Sequence, residues 1–80
     1  AKVHFTFVPD RRMPLEGRDI YLTGELTQFQ LNDNSKLHFN DTLGIYEKEL
    51  FLKNGYYSYD YVAVDRLTDA RPTFKYTEGN

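Results

Sequence analysis

The sequence has no cysteine, no tryptophan and only three prolines among its 80 residues. Without cysteine it can form neither a disulfide nor a thiolate metal site. No apolar run approaches the roughly 20 residues that a membrane-spanning helix needs. The formal net charge is −2, and charges of both signs are intermixed. Nucleic acid is therefore disfavoured as a partner, and direct insertion into a membrane is disfavoured as well.

Aromatic residues are what the chain has in quantity, with seven tyrosines and six phenylalanines. Each ring can bury roughly 150–250 Å², so these residues can supply the core of a small domain. Tyrosines that are buried need a hydrogen-bond partner for the hydroxyl. The chain enters a strand-like pattern directly after Ala1. We therefore expect residues 1–80 to form one domain that is a fragment of a larger protein.

The stretch from Gly44 to Asp65 dominates the pattern and predicts a β-hairpin. Asn54 and Gly55 are the residues of a type I′ turn, because both tolerate a positive φ. Apolar side chains alternate with polar ones on both sides of this turn. The predicted inner row is Tyr46, Leu50, Leu52, Tyr57, Tyr59, Tyr61 and Ala63. We expect this row to pack inward and to leave no room for a ligand, although a row of tyrosines can also form an open platform for sugars or bases.

Four further short strands are predicted from alternation, over residues 2–8, 19–23, 36–39 and 73–77. Residues 25–35 are expected to form a structured loop with one turn of 3₁₀ or α helix, and residues 66–72 a flexible loop. Connections this short favour antiparallel pairing, since parallel pairing needs long crossovers. Six short strands without helical periodicity predict an antiparallel β-sandwich, with a barrel as the alternative.

The residues that could carry catalysis are few and scattered. His4 and His38 occupy outward positions of short strands and lack the spacing of a metal motif. Ser35 and Ser58 lie outside any G-x-S-x-G elbow, and no glycine-rich phosphate loop is present. The acids form no calcium-loop pattern. We therefore expect a non-catalytic chain with no cofactor and no metal.

Three aromatic residues are predicted to lie at the surface. Tyr21 and Tyr56 occupy outward positions, and Phe29 follows Gly24 in the irregular loop. Phe29 would either cover the core as a lid or make contact with a partner. Exposed aromatic side chains often anchor interfaces. Phe29, Tyr21 and Tyr56 are therefore the candidate binding residues.

Two motifs carry a resemblance to known families: DIYLTGELTQF at residues 19–29 and LFLKNGYYSYDY at residues 50–61. Broadly they resemble the glycogen-binding modules of the AMP-activated kinase β subunit and of starch-branching enzymes. That resemblance implies an early-set, immunoglobulin-like β-sandwich. More closely, residues 3–80 resemble the N-terminal domain of the type IX secretion system plug proteins of Bacteroidetes. This likeness implies a larger periplasmic parent protein that associates with the outer-membrane translocon and closes its channel.

The sugar-binding positions of the glycogen-binding modules are only partly matched. Phe29 stands where those modules have an exposed tryptophan, and Asp60 stands where they have a lysine. After Val64 and Asp65 no aromatic residue follows in place of the second tryptophan. By resemblance, therefore, the fold is kept and the glucan site is lost.

A protein-interaction module of the secretion plug is accordingly the favoured function. The alternative is a carbohydrate-binding module that uses Phe29 as its stacking surface. A third reading is an accessory sandwich fused to an enzyme, with no ligand of its own.

Overall fold

The computed structural model describes residues 1–67 and the backbone of Phe74–Tyr76. Its strands are β1 (Lys2–Phe7), β2 (Arg18–Gly24), β3 (His38–Asn40), β4 (Ile45–Phe51), β5 (Tyr59–Asp65) and β6 (Phe74–Tyr76), with 3₁₀ turns at Asp10–Arg12 and Glu25–Thr27. The first sheet has the order β1-β4-β3 and the second the order β2-β5-β6. Every pairing is antiparallel. The prediction of an all-β, antiparallel fold is confirmed, whereas most of the predicted loop at 66–72 lies outside the described residues.

Alternation places the expected side chains of β1 and β2 inward. Phe5 and Phe7 of β1 are buried, and so are Ile20 and Leu22 of β2. The residues between them face outward and are more exposed. This period of two is what a strand with one buried face requires. The 3₁₀ turn at Glu25–Thr27 also matches the single turn predicted for residues 25–35.

The predicted hairpin from Gly44 to Asp65 is wrong, because β4 and β5 belong to different sheets. β4 pairs with β1 and β3, and β5 pairs with β2 and β6. Asn54 does not have the positive φ that a type I′ turn requires. Residues 52–58 instead cross from one sheet to the other. The inner rows of β4 and β5 are both apolar, and stacking them face to face buries both at once.

The strand predicted at residues 36–39 begins later and is preceded by a change of sheet. Lys36 forms an isolated bridge with Tyr21 of the second sheet. Leu37 donates its N–H to the carbonyl oxygen of Ile20 at 2.8 Å. Two residues on, β3 pairs with β4 of the first sheet. Leu37 is buried at this crossing. Its side chain belongs to the core cluster that the two sheets share, and this contact holds the crossing in place.

The core lies between the inner faces of the two sheets. Phe7 of β1 meets Tyr61 of β5 with ring centroids 5.5 Å apart, and Phe5 meets Tyr59 edge-on at 5.1 Å. Tyr61 is 1% exposed. The buried cluster consists of Phe5, Phe7, Ile20, Leu22, Leu37, Tyr46, Tyr61 and Ala63. It draws on both sheets, so neither sheet could bury its apolar face alone.

Candidate functional site

Three exposed aromatic residues, Phe29, Phe51 and Tyr56, lie at one end of the two-sheet body, which we call the aromatic end. β4 stops at Phe51, and the crossing that carries Tyr56 leads from there to Tyr59, the first residue of β5. Tyr59 is paired with Gly24, the last residue of β2. Phe29 follows five residues after Gly24. The strand ends therefore bring all three segments to the same end.

Phe29 is held outward by an unusual backbone. Its N–H donates to the carbonyl oxygen of Gly24 at 2.9 Å, and the Thr27 hydroxyl donates to the same oxygen at 3.2 Å. Gln28 and Phe29 both have left-handed φ values, 56° and 58°. Such values are uncommon for residues with a Cβ and often mark functional positions. The ring is 69% exposed. This exposure excludes the reading of Phe29 as a lid closed over the core.

Tyr56 is fully exposed, as predicted, and Phe51 is 83% exposed. Sequence reasoning missed Phe51. The signal was available in the alternation of β4, because Phe51 falls on the face of Glu47 and Glu49, opposite Leu50. Packing in the core does not explain an aromatic side chain among charged, outward-facing neighbours. Phe51 is therefore, like Phe29, an exposed aromatic residue that could contact a partner.

Tyr21, the third predicted contact residue, lies apart from the aromatic end. It is half-buried in the middle of β2, opposite Val62 of β5 and bridged to Lys36 on its other side. The structure therefore brings two of the three predicted residues, Phe29 and Tyr56, to one end and leaves Tyr21 on the flank of the second sheet.

A cleft of about 460 Å³ opens between β1 and the crossing at residues 52–58. Its walls include Val3 and Phe5 from β1, Leu52 and Lys53 from the crossing, and the tyrosines Tyr57, Tyr59 and Tyr61. Tyr61 is buried and Tyr59 is half-buried against it, with ring centroids 5.8 Å apart. Tyr59 and Tyr61 therefore pack inward rather than form an open platform, whereas Tyr57 is not part of the buried cluster and bonds to Lys53 at an exposed position. The expectation that they leave no room for a ligand is nevertheless wrong.

A second, smaller cleft of about 270 Å³ lies at the loop that carries Phe29, and Gln28 and Gln30, the sequence neighbours of Phe29, line it. Four amide side chains line it, together with Leu26 and Leu50; the amides are Gln28, Gln30, Asn32 and Asn34. Gln30 accepts a hydrogen bond from the Asn32 amide at 3.0 Å. Amides can both donate and accept hydrogen bonds, which suits a ligand rich in hydroxyl groups.

The loop that carries these amides is fastened by Ser35. This residue is fully buried, and its hydroxyl donates to the carbonyl oxygens of Gln30 and Asn32 at 2.8 and 3.1 Å. The same hydroxyl accepts from the Asn32 N–H at 3.0 Å. The hydroxyl of Ser35 therefore closes a turn and is not placed to attack a substrate.

The titratable groups of the first sheet's outer face pair with one another. His4 Nε2 lies 2.8 Å from Glu47 Oε1, and the Asn40 amide donates to Glu47 Oε2 at 2.8 Å. The Asn40 bond, and then the His4 bond, lower the pKa of Glu47. His38 is exposed on β3, opposite Glu47. Within residues 1–67 no cluster of three histidine or acidic side chains could hold a metal ion.

Comparisons with known proteins do not assign this chain to a class of protein. No family model matches the sequence, and no curated protein or solved structure is significantly similar to it. In the described part of the chain, no helix is long and apolar enough to cross a membrane.

Proposed function

We propose that this chain is a non-catalytic interaction domain that holds a protein partner through the aromatic end. The observation that carries this proposal is the exposure of Phe29, Phe51 and Tyr56 on segments that converge there. Aromatic side chains are enriched among the residues that dominate binding energy at interfaces. Phe29 is in addition held in a strained backbone, which a role in contact would explain.

The proposal includes a more specific assignment that rests on sequence resemblance. The motifs at residues 19–29 and 50–61 are similar to those of the secretion plug family, so the partner would be the type IX outer-membrane translocon, met from the periplasm. The fold would then be an immunoglobulin-like sandwich. Two antiparallel sheets around one core are compatible with that topology.

The test is a titration of the chain with purified, detergent-solubilised type IX translocon, followed by biolayer interferometry. Replacing Phe29, Phe51 and Tyr56 together by alanine is expected to weaken binding at least about tenfold, because each anchor typically contributes more than 1 kcal/mol. The matched control replaces three exposed apolar residues near the opposite end of β4, Val8, Met13 and Leu43. It should bind like the wild type.

Two outcomes would overturn different parts of the proposal. A wild-type chain that does not bind the translocon would contradict the plug assignment. Equal weakening by the aromatic variant and the control variant would contradict the aromatic end as the contact surface. Tyr21→Ala alone decides whether the flank of the second sheet takes part.

A carbohydrate-binding module is the second candidate, favoured by the amide-lined cleft at the loop that carries Phe29. An exposed aromatic ring can stack on a sugar, and amide side chains can hydrogen-bond its hydroxyl groups. NMR titration with maltoheptaose tests it. Shifts centred on Phe29, Gln28 and Asn32 that vanish in Phe29→Ala would favour sugar binding, and unchanged spectra would exclude glucans.

A further inference from the structure

β1 has one edge against which the described part of the chain places no strand. It lies at the margin of the first sheet, next to β4. Ala1 and Leu52 exchange hydrogen bonds in both directions, at 2.6 and 2.8 Å. Because antiparallel ladders alternate, Val3, Phe5 and Phe7 then bond to β4. The N–H and C=O groups of Lys2, His4 and Thr6 therefore point away from β4, toward the other edge.

The cleft of about 460 Å³ runs along this edge. Four consecutive residues of β1, Val3 to Thr6, line it. They include residues whose side chains point inward and residues whose side chains point outward, so the backbone edge itself forms part of the wall. An extended chain placed along this edge would meet the backbone groups that point away from β4 and, at the same time, the aromatic wall of the cleft. These are the two requirements of recognition by strand addition.

The charged residues of the cleft indicate which kind of segment would bind there. Among the residues of the described part of the chain that line the cleft, none is acidic, whereas Lys53 stands at its rim on the crossing. The Lys53 backbone carbonyl accepts the Tyr57 hydroxyl at 2.9 Å, which fixes the crossing beside the ring. The apolar side chains of Val3, Phe5 and Leu52 complete the wall. An apolar segment with a carboxylate near one end fits this lining best.

We propose that the edge of β1 that faces away from β4 takes up an extended acidic-apolar peptide segment of a partner protein as an added strand. Alternate apolar side chains of that segment enter the cleft, and a carboxylate meets Lys53. This inference builds on the proposed interaction role but uses a different surface from the aromatic end.

The test uses a capped synthetic heptapeptide in which valine and phenylalanine alternate with threonine, with glutamate at both ends. Its binding to the chain is followed by NMR, and shifts are expected at residues 2–6 and 52–59. The matched control peptide is N-methylated at alternate residues, so that it cannot donate hydrogen bonds to β1. It is expected to bind at least about tenfold more weakly, since one unmade hydrogen bond already approaches that factor.

Two chain variants test the edge from the other side. Thr6→Pro removes one outward-directed N–H, and proline is tolerated at such edge positions. Thr6→Ala retains the N–H and is the control. The expected result is about tenfold weaker binding for Thr6→Pro alone, with both variants keeping the amide spectrum of a folded chain. Lys53→Glu is expected to weaken binding of the acidic peptide and to favour a lysine-ended version.

Several outcomes would overturn the proposal. Equal binding of the N-methylated and unmethylated peptides would show that the edge is not used, even if Thr6→Pro failed to fold. Shifts confined to Phe29, Phe51 and Tyr56 would assign the peptide to the aromatic end. Concentration-dependent dimerisation that the peptide does not reverse would identify a second copy as the occupant. By contrast, loss of peptide binding by Thr6→Pro together with normal translocon binding would support this inference independently of the proposed function.

Discussion

The hydroxyl of Tyr46 accepts a hydrogen bond from the backbone N–H of Leu15 at 2.8 Å. Tyr46 is buried in β4, and Leu15 belongs to the loop that carries the chain from β1 of the first sheet to β2 of the second. The bond therefore fastens this connection to the middle of the first sheet. It also supplies the hydroxyl partner that a buried tyrosine requires.

Removing this hydroxyl should destabilise the fold measurably. Tyr46→Phe leaves the Leu15 N–H without its partner, which is expected to lower the free energy of unfolding by about 1 kcal/mol. Tyr57→Phe is the matched control, because its hydroxyl bonds to the Lys53 carbonyl at an exposed position. Urea denaturation should show a smaller loss for the control. Equal losses in the two variants would contradict the role given to Tyr46.

Gly24 and Gly17 should respond differently to alanine. Both have φ values that disfavour a Cβ, 155° and 71°. A Cβ on Gly24 would in addition overlap the backbone carbonyl oxygen of Ser58, whereas nothing lies near a Cβ on Gly17. We expect Gly17→Ala to lower the unfolding free energy by about 1 kcal/mol and Gly24→Ala by roughly 3 kcal/mol, since overpacking adds to the strain. Similar losses in urea denaturation would contradict the close approach of β2 and β5 at Gly24.

The Glu47 carboxylate should make stability depend on pH in the acidic range. Its pKa is lowered in the folded chain by Asn40 first and by His4 second. A carboxyl group with a depressed folded pKa contributes stability that is fully present above its unfolded pKa. That contribution is lost as the pH falls through the folded pKa. Asn40→Ala is therefore expected to raise the pKa of Glu47 toward its ordinary value.

Carbon-13 NMR titration of the Glu47 carboxyl group measures this shift directly. His4→Ala serves as the comparison and should raise the pKa less than Asn40→Ala does. An unchanged titration curve in Asn40→Ala would show that the amide does not hold the carboxylate in solution.

The strands of this chain could be read from its sequence because one face of each is buried. Alternation located Phe5 and Phe7 on β1 and Ile20 and Leu22 on β2 without knowledge of their partners. The exposure of Tyr56 was predicted as well, whereas Phe29 lies in an irregular loop that alternation does not cover, and its exposure is known only from the structure. Local rules of this kind depend only on neighbouring residues, so a single sequence suffices for them.

Pairing could not be read in the same way. Asn54 and Gly55 form a strong local hairpin signal, but partner choice is decided by which apolar rows face each other across the core. Tyr46 and Tyr61 both belong to the buried cluster, and they enter it from opposite sheets. The cleft was missed for the same reason, because it depends on how far β1 stands from the tyrosines of β5.

The crossing of residues 52–58 between the sheets underlies both the aromatic end and the cleft, and NOE spectroscopy tests it most directly. His4 and Glu49 form a non-hydrogen-bonded pair of β1 and β4, so their Hα atoms should give a strong cross-peak. A hairpin around Asn54 and Gly55 would instead bring the Hα atoms of Lys48 and Tyr61 together. The structure predicts the first cross-peak without the second, since packed sheets stand about 10 Å apart. A strong Lys48–Tyr61 cross-peak with no His4–Glu49 cross-peak would contradict it.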